Sequence, residues 1–379
     1  MCIRDSGGTA RTVTLNPRGH GDDTILMRPE GILSLSPDGS KIIPNIAKDW
    51  KLSKDAKALT LYLRKGMKWS DGHPFTAEDI LFQFNDCMTN DELYPVKPVK
   101  WSPGGELAKA EKIDDYTVRL HFVKPYPIAP AVLSHSGGWQ GVAYQPKHYL
   151  KQFHPKYTPI EKLNKLAKEE GFDYWYQLFQ EKARTIWGSQ LGDVPVISGY
   201  VITEETSSYR KYERNPYYWK VDSAGNQLPY IDKILVTVVK DAEMATAKII
   251  TGDVDFATLN TVNIQNLPLY REGEKKGNYR TLLWKSVYGS DCGFEFNRTA
   301  EDPVLREIFR DVRFQHAVSL AINREEINNI IYYGLGVPRQ ATVHPNCSFY
   351  EEKFAKAYAE YDPERANALL DEMGLKWDK

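Results

Sequence analysis

Cysteine is scarce in this 379-residue chain: Cys2, Cys87, Cys292 and Cys347 are far apart, with no C-x-x-C pair and no Cys/His cluster. That spacing excludes the usual zinc frameworks and neither supports nor excludes a single disulfide in an oxidising compartment. No apolar run approaches the length of a membrane-spanning helix, and no basic segment followed by an apolar stretch opens the chain as a signal peptide would. The chain thus reads as soluble. Charge of either sign is also missing in excess: 49 basic against 50 acidic residues give a net charge of -1. No bulk positive field draws the whole chain to nucleic acid or to a membrane. The phosphate-binding G-x-x-x-x-G-K-[ST], the dinucleotide G-x-G-x-x-G, the zinc-protease H-E-x-x-H and the nucleophile elbow G-x-S-x-G are all absent. The eight histidines stand in no metal spacing, so neither a metal nor a cofactor is expected.

What is present is ample apolar content and many rings. The length suggests two or three domains. Hydrophobic residues make up 42% and aromatics 12%, including nine Trp and twenty-three Tyr, which suits both large cores and flat ligand contacts. The opening MCIRDS reads as adapter-derived sequence and is left out of fold reasoning. Both ends are expected to be cut, since LLDEMGLKWDK stops just after a helix.

Period-two alternation predicts strands over 58–64 (ALTLYLR) and 116–123 (YTVRLHFV). Between them, Thr76 followed by Asp79 resembles a capping box, and the next residues place Ile80, Phe84 and Cys87 on one helical face. Asp71-Gly72 supplies a turn before it, and Pro74 keeps the chain extended. Residues 159–189 read as a helical pair broken at Gly171. VISGYVIT and KILVTVVKD read as strands, Met244–Thr251 as a helix, and Gly252-Asp253 as a turn into another short strand. At about Ser286 the character changes to helices, with Asn323 as a cap and Asp362-Pro363 starting the last one. The mixture gives an α/β, or mixed α+β, class.

Acid pairs such as Asp291 with Glu295, or Glu78 with Asp79, satisfy the arithmetic of glycoside hydrolysis, but Glu78 and Asp79 are also what a helix dipole favours in a first turn. His73 reads as a turn residue. His135 and Trp139 lie in SHSGGWQG, where glycines let backbone approach a ligand and Trp139 offers a stacking face. In NPYYWK (215–220), Asn215-Pro216 fixes a turn and the rings are expected to cover sheet faces. Trp284 and Tyr288 precede the helical part, where a cleft between domains would fall.

Several stretches together resemble the family 5 extracellular solute-binding proteins. They are IIPNIAKDWKLSKDAKALTLYLRKGMKWSDGHPFTAEDILFQF, YERNPYYWK, GDVDFA, FNRTAEDPVLREIFRDVRFQHAVSLAINREEI and YDPERANALLDEMGL. The chain departs from the family pattern at Gln315-His316-Ala317 and at Ser198-Gly199-Tyr200. The resemblance implies a two-lobed, hinged fold with an extra small domain and a second lobe incomplete here. Residues 7–54 and 190–285 would form the first lobe, 55–189 the inserted domain in which Trp69-Ser-Asp-Gly is scaffold, and 286–379 the start of the second lobe. It implies a monomeric capture protein at the periplasmic or outer face of the membrane, without cofactor or nucleic acid, passing an oligopeptide-like solute to an ABC permease. Oligosaccharide capture on the same fold is the alternative, and a glycoside hydrolase or a partner-binding scaffold the rivals of other classes. By position relative to the hinge, Trp139, Tyr288, Glu295 and Asn297 are the expected ligand contacts.

Overall fold

The computed structural model describes residues 8–15, 30–134, 143–183, 194–258, 261–284, 292–347 and 349–375. Its strands are β1 (Thr9–Thr14), β2 (Leu33–Leu35), β3 (Ile42–Pro44), β4 (Ala47–Leu52), β5 (Ala58–Leu63), β6 (Lys109–Asp114), β7 (Thr117–His121), β8 (Tyr200–Glu205), β9 (Tyr209–Arg214) and β10 (Lys233–Val238). The chain divides into two compact units, one of residues 1–262 with 273–279, the other of residues 263–272 with 280–379.

In the first unit, β4-β5-β7-β6 form an antiparallel sheet. The alternation read in ALTLYLR is the cause: Leu59, Leu61 and Leu63 of β5 point to one face with Val118 and Leu120 of β7, all 1% exposed or less. Each such side chain contributes about 1.5–3 kcal/mol on burial. Ile80, Phe84, Trp69, Phe75 and Trp101 close the same core, and so do Ile32, Leu33 and Ile46. The β2–β3 hairpin therefore belongs to this core, and the sequence boundary at 54/55 falls in the tight loop joining β4 to β5.

Thr76 caps the helix Ala77–Leu81: its backbone N–H donates to Asp79 Oδ2 at 2.9 Å, and its hydroxyl accepts from the Glu78 N–H at 3.3 Å. The expected face of Ile80, Phe84 and Cys87 does not persist, because residues Phe82–Cys87 widen into a π-helical turn. The extra residue per turn rotates Cys87 away from the sheet. Cys87 packs instead with Phe82, Leu150, Phe153, Leu163, Trp175, Leu178 and Phe179, the core beneath the helical pair Ile160–Glu169 and Trp175–Lys182.

His154 lies against that second core, 3% exposed, with Phe82, Phe179 and Trp175 edge-on to its ring. Its Nδ1 accepts from the Lys156 N–H at 3.2 Å, and burial lowers its pKa. The folded chain thus refuses a proton that the unfolded chain accepts. This contribution is complete above the unfolded value of about 6.5 and is lost as the pH falls below it. His154→Phe is expected to flatten the loss of urea stability between pH 6.5 and 5, and an unchanged slope would show that His154 is not part of it.

The other sheet of this unit runs β1-β10-β9-β8, with β1 parallel to β10 and the remaining pairs antiparallel. Tyr200, Ile202, Tyr212, Ile234 and Val236 form its core. Strand β9 is hidden in the sequence as YRKYER, where charged residues mask the alternation that buries Arg210 and Tyr212. The short strand expected after Gly252-Asp253 does not form. Asp255 is instead held as a side-chain partner, its carboxylate accepting from Arg11 Nε at 3.0 Å and Nη2 at 2.9 Å.

In the second unit, helix Val312–Leu320 packs on Pro363–Glu372 through Ala317, Leu320 and Ala366. The expected caps are in place: Asn323 accepts from the Glu326 N–H at 3.0 Å and Asp362 from the Arg365 N–H at 2.9 Å. His316, at one of the departures from the family pattern, stacks on Tyr358 with ring centroids 3.6 Å apart. No helix among the described residues is long and apolar enough to cross a membrane.

Candidate functional site

Trp139, Tyr288, His135 and Asp291 lie outside the described residues. Glu295 is exposed, and so is Asn297, whose side-chain oxygen accepts from the backbone N–H and hydroxyl of Thr299 at 3.0 and 2.9 Å, a local turn. Within the described residues nothing gathers Glu295 and Asn297 into one constellation.

Among the described residues of the first unit, one dense polar site centres on Glu30, a residue the sequence reading passed over. Its carboxylate accepts from Tyr218 Oη at 2.5 Å, Lys220 Nζ at 2.7 Å and Asn45 Nδ2 at 2.9 Å. Its carbonyl accepts from Tyr144 Oη at 2.6 Å. Burial, followed by the charge of Glu30, raises the pKa of both phenols, so Tyr144 and Tyr218 stay protonated as fixed donors. Beside them Trp219 is flanked by two cations, Arg64 at 5.0 Å and Lys220 at 5.4 Å from its ring centre. Arg64 is aimed by its own bond, Nε donating to the Asn45 carbonyl at 2.7 Å.

The signal for this site was the ring cluster NPYYWK, but its rings do more than cover sheet faces. Asn215 fixes the turn by donating Nδ2 to the Ser198 carbonyl at 3.0 Å and accepting from the Tyr217 N–H at 2.9 Å. Tyr217 then lies over Gly72, where an added Cβ would meet its hydroxyl at 3.1 Å. Gly72 also has φ +86°, so a side chain there is excluded twice.

A second polar cluster surrounds the turn Ser70-Asp71-Gly72. His148 Nε2 pairs with Asp71 Oδ2 at 2.7 Å, and His73 stacks on His148 with centroids 3.9 Å apart. Burial lowers the pKa of His148 despite Asp71. For Asp71, burial pushes upward, but the His73 N–H and His148 outweigh it, and its pKa is lowered. An Asp–His pair can serve a nucleophile. Here the neighbouring Ser70 hydroxyl is engaged, accepting from the Val196 N–H at 3.0 Å, while the Ser70 N–H donates to the Val196 carbonyl at 2.9 Å. The pair fastens a turn. Glu78 and Asp79 also diverge: Glu78 takes Lys147 at 2.5 Å and Lys112 at 2.9 Å, while Asp79 turns inward to accept from the Lys147 N–H at 3.1 Å. They share no partner atom and make no direct bond to each other. Among the described residues no group of His, Cys, Asp or Glu is arranged to hold a metal.

Residues 41–379 match the bacterial extracellular solute-binding proteins, family 5 (Middle). The periplasmic alpha-galactoside-binding protein of Rhizobium meliloti is 28% identical over 93% of the chain and 48% of its own length. The dipeptide-binding protein of Escherichia coli K12 is 24% identical over 89% of the chain and 56% of its own length. A solved oligopeptide-binding protein OppA is 40% identical at TM-score 0.73, covering 99% of the chain and 59% of that protein. MelB of Agrobacterium fabrum C58, in complex with stachyose, is 25% identical at TM-score 0.73, covering 99% of the chain and 56% of MelB. The chain thus spans about half the length of these relatives. With the family's Trp-x-Asp-Gly turn, capped helix and Asn-Pro turn all in place, the chain belongs to the bacterial extracellular solute-binding proteins, family 5.

Proposed function

We propose that the protein is the capture subunit of an ABC importer, holding a short oligopeptide outside the membrane and releasing it unchanged to a permease. The family match over residues 41–379 carries this reading. The peptide class is supported by the 40% identity to a solved oligopeptide-binding protein. No bond is broken in this scheme: the Asp71–His148 pair has its serine engaged, and the acids Glu78 and Asp79 are committed to lysine and backbone partners. Capture is a population shift toward a closed form that binds the solute more tightly. Trp139, Tyr288, Glu295 and Asn297 remain the proposed contacts.

A second reading, oligosaccharide capture, is favoured by the alpha-galactoside-binding relative and by the stachyose complex. Thermal unfolding of the full-length protein against short peptides and against raffinose-type oligosaccharides separates the two. A solute that binds only the folded state adds about 2.7 kcal/mol at a hundredfold excess over Kd, several degrees in Tm. Stabilisation by peptides recovered intact is the expected result. Stabilisation by sugars alone moves the ligand class, and recovery of cleaved products overturns the capture reading.

A further inference from the structure

Three loops meet at one end of the β4-β5-β7-β6 sheet. Ala58, which begins β5, lies opposite His121, which ends β7, and His121 lies opposite Lys109, which begins β6. The loops 53–57, 95–108 and 122–128 therefore crowd together. They are tied by the Phe122 N–H to the Lys57 carbonyl and the Tyr126 N–H to the Ala56 carbonyl, both 2.8 Å, and by Tyr126 Oη to the Lys100 carbonyl at 2.9 Å. The Lys124 side chain lies against Gly104, where an added Cβ would come within 2.8 Å of it.

Residues 95–100 read Pro-Val-Lys-Pro-Val-Lys. Pro98 is buried and Trp101, 1% exposed, packs edge-on to Phe84 at 5.1 Å, so the segment is anchored from within. Its valines point the other way: Val96 is 80% exposed and Val99 82%. Ile128 and Val123 on the neighbouring loop are 58% and 45% exposed. The same three loops carry Lys54, Lys57, Lys97, Lys100 and Lys124 against Asp55 and Glu106, with Lys97 neutralised by Asp91 at 2.7 Å. Rigidly presented aliphatic side chains on loops rich in lysine match the boundary between acyl chains and anionic headgroups. A protein partner usually calls for aromatic or arginine anchors. Here Trp101 and Phe122 are buried and Tyr126 is half-buried.

We propose that this end of the sheet is a membrane-contact surface, settling Val96, Val99 and Ile128 into an anionic bilayer while Lys57, Lys100 and Lys124 meet lipid phosphates. The near-zero net charge of the whole chain does not oppose this, because screening limits the relevant field to about 8 Å around the loops. The proposal stands independently of the transport reading.

Co-sedimentation of the full chain with vesicles tests it. Vesicles of phosphatidylcholine mixed with phosphatidylglycerol are expected to retain at least about tenfold more protein than phosphatidylcholine alone. The double variant V96D/V99D should lose roughly that tenfold, and K124Q about fivefold, each with an unchanged thermal midpoint. No retention on anionic vesicles, equal retention on both kinds, or full retention of V96D/V99D overturns the proposal.

Discussion

Replacing Trp69 by alanine is expected to remove about 3–5 kcal/mol of stability, read as a lowered urea midpoint with an unchanged slope. Its indole is 1% exposed and is contacted by three rings: Phe75 at 5.7 Å, Tyr144 at 5.9 Å and His148 at 6.0 Å between ring centres. Tyr144 and His148 cannot move into the void without losing their own partners, because Tyr144 is bonded to the Glu30 carbonyl and His148 to Asp71. Trp69→Phe keeps most of the ring contact and should recover more than half of the loss. A change below about 1 kcal/mol for Trp69→Ala would place the ring at the margin of the fold and not at its centre.

The second large effect is a pH dependence carried by Asp79. Burial raises the pKa of this carboxyl from 3.8 to about 6, even though the N–H groups of Thr76 and Lys147 pull it down. The folded state therefore holds a proton that the unfolded state releases between about pH 4 and 6. Stability from this group is greatest at low pH and is lost as the pH rises through 6, by about 2–3 kcal/mol in all. His148 and His154 act in the opposite direction below 6.5, so the quantity to follow is the difference between wild type and Asp79→Asn. That difference should shift by about 2–3 kcal/mol in favour of wild type when the buffer moves from pH 7.5 to 4. A flat difference would mean that Asp79 titrates as an ordinary surface acid.

Much of the first unit was legible because local signals agreed with tertiary demands. The alternation in ALTLYLR, the Thr76–Asp79 cap and the positive-φ Gly72 and Gly171 each pointed to what formed. The misses have physical causes. Strand β9 was hidden because Lys211 and Glu213 occupy outward positions and Arg210 an inward one. The face of Cys87 was misjudged because a π-helical turn is invisible to a 3.6-residue period. Helix Leu267–Gly277 was overlooked because Pro268 and Gly273 break its pattern. Glu30 was overlooked because its partners come from residues 45, 144, 218 and 220, and no sequence window joins them. Family membership was readable from motifs, since these mark turns and caps that are local by nature. The proposed ligand contacts were chosen by position relative to the hinge, and no motif marks them.

The parallel pairing of β1 with β10 bears on biogenesis. Thr9 aligns with Lys233, so β1 waits for more than two hundred residues of synthesis before its neighbour exists. The β4-β5-β7-β6 sheet, by contrast, is complete within Ala47–His121 and owes nothing to that late closure. A chain emerging from the ribosome can thus consolidate this sheet early while β1 stays unpaired, because joining segments so far apart carries more loop-closure entropy than joining neighbouring strands.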